Sequence, residues 1–117
     1  METNAVVEKI VKVLDNKKAE EIKVIKISEL TVMSDYFIIA NGTSNTHVRA
    51  LAEEVEDVIA KEGEEARSIE GRSTGWILLD YGDIVVHVFT PQDRDYYGLE
   101  RLWKDGEFEN LDDIITQ

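Results

Sequence analysis

Val6, Val7, Ile10, Val11 and Leu14 return at helical spacing, with Thr3 or Asn4 available as N-cap, so the chain opens on an amphipathic helix. Asp15-Asn16-Lys17-Lys18 breaks that period. Glu21 to Ser28 is rich in Ile and Val and predicts a first strand, with Val24, Ile25 and Ile27 pointing inward. Glu29 to Met33 reads as a short connection. Asp35 to Asn41 (DYFIIAN) is a nearly continuous apolar run, the pattern of a central strand covered on both faces. Gly42-Thr43-Ser44 follows, then a helix from about Asn45 to Glu62. Its apolar stripe is Val48, Leu51, Ala52, Val55, Val58 and Ile59; Glu53, Glu54, Glu56 and Asp57 occupy the other side, and Gly63 is placed to end it.

Ala66 to Ile69 predicts a short exposed strand, and Gly71 to Gly75 (GRSTG) a flexible loop. Trp76 to Tyr81 and Ile84 to Thr90 form two strands joined at Gly82-Asp83, a strong hairpin signal. Thr90-Pro91 pairs an N-cap residue with proline at the first helical position. The helix that follows, interrupted near Gly98, continues through Leu99, Leu102 and Trp103. Phe108, Leu111, Ile114 and Ile115 keep helical spacing in a tail that, after about residue 104, is expected to be loosely docked. The order α-β-β-α-β-β-β-α implies an α/β fold over residues 1–117, a single domain with a mixed β-sheet of about five strands packed with helices.

Composition narrows the function. With 117 residues and one proline, no linker or low-complexity tract divides the chain. No cysteine is present, which excludes disulfides and thiolate metal sites and suits a reducing compartment. No apolar run reaches the ~18 residues that cross a bilayer, and the first residues lack the continuous apolar core of a signal peptide. A formal charge of −12 repels phosphate backbones, so direct nucleic-acid binding is not expected. A basic protein surface is the natural partner; otherwise the acidity serves solubility alone.

Few residues offer reaction chemistry. Gly42-Thr43-Ser44 sits where helix amides hold a phosphate, but glycine for the turn and a hydroxyl cap account for it equally, and no GxxxxGK[ST] or GxGxxG occurs. Asp80 and Asp83 suggest a magnesium pair, yet Asp83 stands where a hairpin turn favours Asp, and Asp80 remains as an acceptor for an arginine or lysine. His87 inside IVVHVF reads as a hydrogen-bonded structural histidine; His47 begins a helix with no partner visible in the sequence. Neither builds a triad or a metal set, so no catalytic residue, cofactor or metal is assigned. Trp76, Leu78 and Asp80 alternate on one face of their strand and Ile77, Leu79 and Tyr81 on the other. If Ile77 and Leu79 face the core, Trp76 and Leu78 form an outward apolar strip ending in a carboxylate, which suits a protein-binding anchor. If the sheet is covered on both faces, Trp76 is core instead.

SDYFIIANGTSNTHVRALA (Ser34 to Ala52), Ile69-Glu70-Gly71, GWILLDYGDIVVHVFTP (Gly75 to Pro91) and YYGLERLW (ending at Trp103) together resemble the ribosomal silencing factor, or Iojap-like, family. The likeness runs in order along nearly the whole chain, and is weaker in the first helix and after Trp103. It implies a small α/β domain similar in architecture to nucleotidyltransferases. It further implies docking on ribosomal protein fourteen of the large subunit, which blocks joining of the small subunit and represses translation when nutrients run short. Organelle relatives act in ribosome assembly or translation; nothing here resembles a transit peptide, so a bacterial, cytoplasmic member is expected.

Carried onto this chain, the resemblance makes Trp76 and Leu78 apolar anchors and Asp80 the acceptor for a basic side chain. Tyr81 contributes area and a hydroxyl, and Glu70 and Asp35 stand on the rim or in structural hydrogen bonds. Two rival readings stay open. One is a nucleotidyltransferase-like domain using Gly42-Thr43-Ser44, against which stands the absence of any Asp-x-Asp metal pair in the chain. The other is a homodimer paired through the Trp76 face.

Overall fold

The segment IVVHVF is buried at every position, so it lies at the centre of a sheet. A computed structural model, describing residues 3–28, 34–71, 75–102 and 106–109, places it there. The elements are α1 (Thr3–Asn16), β1 (Glu20–Lys26), β2 (Tyr36–Asn41), α2 (Asn45–Lys61), β3 (Ser68–Glu70), β4 (Trp76–Asp80), β5 (Ile84–Phe89), α3 (Pro91–Tyr97), α4 (Leu99–Leu102) and β6 (Glu107–Phe108). One mixed sheet runs β3-β4-β5-β2-β1-β6. β2 and β5 pair in parallel at its centre, and the remaining pairs are antiparallel.

The two faces of the sheet are covered unequally. The stripes of α1 and α2 pack on Val24, Ile38, Ala40, Ile77, Leu79, Ile84, Val86 and Val88, forming the main core. On the other face the fully buried set among the described residues is Ile25, Ile27, Ile39 and Phe89, with Phe37, Trp76 and Leu99 against them. Val24, Ile25 and Ile27 are all buried, as the sequence predicts, but on opposite faces.

Local signals behave as their chemistry requires. The Ser44 hydroxyl caps α2 by accepting from the His47 amide, and Thr90 caps α3 with Pro91 in its first turn. Gly98, left-handed at φ 57°, ends α3 at the expected interruption. The chain leaves α2 through Glu62, with Gly63 at φ +91° just beyond. His47 does find partners: its Nδ1 accepts from Thr43 N (2.8 Å) and its Nε2 lies 2.8 Å from the Lys17 carbonyl. A ring that accepts at Nδ1 donates at Nε2, so His47 ties the loop before α2 to the end of α1.

Three expectations change. The sheet has six strands rather than about five, because Phe108, expected in a helical tail, pairs with Ile25 as part of β6. Thr3 and Asn4 lie within α1 rather than ahead of it, and Asn4 accepts from the Tyr36 hydroxyl at 3.0 Å. The turn carboxylate is Asp80, whose Oδ1 accepts from Gly82 N (2.8 Å), not Asp83. Asp83 contributes its carbonyl, which takes the amides of Asp35 and Tyr36 and so fixes the hairpin tip to the start of β2. The connection Glu29–Met33, the centre of the loop between Gly71 and Gly75, Trp103, Leu111, Ile114 and Ile115 lie outside the described residues.

One buried cation holds the short helices. Arg94 is 9% exposed; its Nε donates to Glu100 Oε1 (2.7 Å), and its Nη1 to Asn41 Oδ1 (3.0 Å) and to the Glu21 carbonyl. Glu21 stands at φ 52°, inside the irregular pairing between Glu20 and Lys23. Its carbonyl reaches Arg94 from that conformation.

Candidate docking face

A two-residue turn at Gly82-Asp83 pairs Tyr81 with Ile84 through a 2.8 Å backbone bond. Counting back along both strands then brings Leu78 opposite His87 and Trp76 opposite Phe89. Continuing across β2 and β3, the sheet carries rows on the face away from α1 and α2. One row runs Ser68, Asp80, Val85, Phe37, Ile25; the next runs Glu70, Leu78, His87, Ile39. Among the described residues, α3 and α4 reach this face at one end, where Tyr97 meets Trp76 and Leu99 joins the small cluster. The uncovered part holds a groove of about 500 Å³ with Ile27, Phe37, Leu78, Val85 and His87 along its floor. Arg67, Glu70 and Asp80 stand around it, the Arg67 guanidinium lying against Gly82.

Trp76 satisfies neither simple reading. Its ring is half-buried, stacked on Phe89 (centroids 5.0 Å, 26°) and tilted against Tyr97 (4.5 Å, 47°), while Nε1–H donates to His87 Nδ1 at 3.1 Å. Phe89, Trp76, Tyr97 and Tyr96 thus make a chain of rings that ends in solvent, where Tyr96 is 82% exposed. His87 is buried, and burial lowers its pKa to about 4, so the ring is neutral.

That shift carries a sign. A histidine buried neutral stabilises the fold fully above its unfolded value of 6.5, and the contribution is lost as pH falls toward about 4. The interval corresponds to about 3 kcal/mol. Urea unfolding should therefore show stability declining from pH 7 to pH 4.5, and His87→Phe should flatten most of that slope.

Of the residues assigned from the sequence, Trp76, Leu78, Asp80 and Glu70 share this face. Tyr81 does not: it packs against the main core on the helix side, and its hydroxyl is buried with no hydrogen-bond partner among the described residues. Burial first, then Glu56, pushes the Tyr81 pKa up to about 12. Asp35 lies at the end of the sheet beside a hollow lined by Thr3, Asn4 and Lys26, and its backbone joins Ile27 to Asp83. Sequence reasoning passed over Phe37 and Tyr97, which complete the aromatic surface. It also missed the pairing of His87 with Trp76, although the hairpin register contains it. At Gly42-Thr43-Ser44 the amide of Thr43 is already bonded to His47. Among the described residues no group of three or more His, Cys, Asp or Glu could hold a metal ion, and no helix is long and apolar enough to cross a membrane.

The family model described as ribosomal silencing factor during starvation matches residues 1–117. The chain belongs to the ribosomal silencing factor family. It is 37% identical to the ribosomal silencing factor RsfS of Halalkalibacterium halodurans, over 91% of this chain and 92% of that one. Its identity to the RsfS of Bacillus subtilis is 38%, over 88% of each. A crystal structure of a Chromobacterium violaceum protein superposes with a TM-score of 0.87 at 36% identity, covering 89% of this chain and 88% of the other. The first two relatives are named ribosomal silencing factors, and the solved structure shares the α/β fold described above.

Proposed function

We propose that this chain represses translation by seating the uncovered half of its sheet on a basic protein of the large ribosomal subunit, ribosomal protein fourteen, and thereby excluding the small subunit. The observation that supports this reading is the unequal covering of the sheet. Among the described residues, Phe37, Trp76 and Leu78 stand half-buried on the face away from α1 and α2, with the carboxylates of Glu70 and Asp80 near Leu78. Apolar anchors with an acidic rim suit a basic protein surface better than ribosomal RNA, which a chain of charge −12 repels. Once docked, the same charge faces the incoming small subunit and adds repulsion to steric exclusion. The chain works as a regulator in the cytoplasm and, in this reading, performs no chemistry.

The test is sedimentation of the protein with purified large and small subunits on a sucrose gradient at moderate salt. Co-sedimentation with the large subunit and loss of the joined-ribosome peak are expected. Both effects should weaken as salt rises, because screening acts beyond about 8–10 Å at physiological ionic strength. Joined ribosomes forming normally, with the protein at the top of the gradient, would refute the reading.

A further inference from the structure

On the docking reading, His87 acquires a role of its own. Trp76 Nε1–H can only donate, so its 3.1 Å bond makes His87 Nδ1 an acceptor and places the imidazole proton on Nε2. That Nε2–H is buried and has no hydrogen-bond partner among the described residues. A buried donor left without an acceptor is uncommon and unfavourable, so its persistence requires an explanation.

Its position supplies one. His87, 4% exposed, lies in the floor of the groove between Leu78 and Ile39 in the sheet register. The ring of Phe37 stands 4.8 Å from the imidazole at 67°, closer than the rings of Trp76 (5.9 Å) and Phe89 (6.2 Å). Phe37 is half-buried and lines the same groove as His87, which makes it the neighbouring ring to move if a partner is to reach Nε2.

We propose that His87 Nε2–H is held for the docked partner and donates to an uncharged oxygen, a peptide carbonyl, that the partner lowers into the groove as Phe37 moves aside. The surroundings select that acceptor. Glu70 and Asp80 outnumber Arg67 around the groove, which disfavours an incoming carboxylate. The floor of Ile27, Leu78 and Val85 favours a weakly hydrated group over a charged one. The matching segment therefore carries an accessible carbonyl between apolar side chains, with a lysine or arginine near enough to meet Glu70 or Asp80. Docking then satisfies a donor that the free protein leaves unpaired, so the bond forms only in the complex and selects for partner geometry.

The experiment measures affinity of the full chain for isolated large ribosomal subunits together with thermal melts. His87→Phe removes the orphan donor. It also removes the acceptor of the Trp76 Nε1–H bond, so affinity is compared only on protein whose melt shows it folded, where binding roughly tenfold weaker than the parent is expected. His87→Gln keeps an oxygen for Trp76 Nε1–H and an N–H for the groove, and should recover most of the affinity. Two results would overturn the proposal while leaving docking intact: His87→Phe binding like the parent when Leu78→Glu does not, or His87→Gln as weak as His87→Phe. Leu78→Glu binding like the parent would instead overturn the docking reading, and this inference with it.

Discussion

Trp76→Ala is expected to weaken binding to the large ribosomal subunit by about 2–4 kcal/mol, the loss typical of a central aromatic anchor. The indole lies where the sheet face meets α3, held by Phe89 beneath it, Tyr97 beside it and the His87 acceptor. Those three contacts fix its rotamer before any partner arrives, so little side-chain entropy remains to be lost on docking. The same contacts make the ring part of the fold. Truncation therefore also lowers stability, though by less than the ~3–5 kcal/mol of a fully buried aromatic, because the ring is half-exposed. Urea unfolding separates the two effects: the affinity loss must be measured on protein that remains folded. Leu78→Glu provides the independent check, since Leu78 faces the same groove and places a charge on its apolar floor. If folded Trp76→Ala binds like the parent, this half of the sheet is not the docking surface.

Much of this face was legible in the sequence, and the reasons are local. Alternation along WILLD separates Trp76, Leu78 and Asp80 from Ile77 and Leu79 without reference to the rest of the chain. The Gly82-Asp83 turn sets the register that places Leu78 against His87. The continuous runs DYFIIAN and IVVHVF identify the two central strands, though their parallel pairing comes from topology. Tyr81 shows the limit of proximity along the chain. It follows Asp80 directly, yet it points to the helix side, as its place beside Ile77 and Leu79 in the alternation requires. Phe108 was read as helical from spacing that too few residues supported; a two-residue strand edge leaves no periodic signature. Arg94 gave no signal at all. Its partners lie 73, 53 and 6 residues away, and nothing in PQDRDYY marks this arginine as one that becomes buried.

Arg94→Ala should accordingly produce the largest loss of stability of any single change considered, about 3 kcal/mol, from removing one member of a buried, hydrogen-bonded charge pair. The guanidinium serves three acceptors at once: the Glu100 carboxylate, the Asn41 amide oxygen and the Glu21 carbonyl. Asn41 is 7% exposed but shares with Arg94, Glu21 and Glu100 the lining of an open hollow of about 370 Å³, so water can partly replace the guanidinium there. Glu100 is one-third exposed and rehydrates more easily, which keeps the expected loss at the lower end for broken buried pairs. Arg94→Lys should recover less than half, because a single ammonium cannot span three directions as the planar fork does. The pH dependence identifies the pair. Hydrogen bonding to Arg94 lowers the Glu100 pKa below its ordinary 4.5, so its stabilisation is present above that value and is lost as pH falls through the folded one. The stability difference between parent and Arg94→Ala should thus stay constant from pH 7 to about 5 and shrink below 4.5, while the His87 transition persists in both. A difference that does not shrink in acid would mean that Arg94 acts through packing and the uncharged acceptors alone. Because α3 carries Tyr97, which supports the indole of Trp76 at 4.5 Å, the same variant should also reduce affinity for the large subunit, by less than Trp76→Ala. The buried arginine would then connect the end of the sheet to the face that docks.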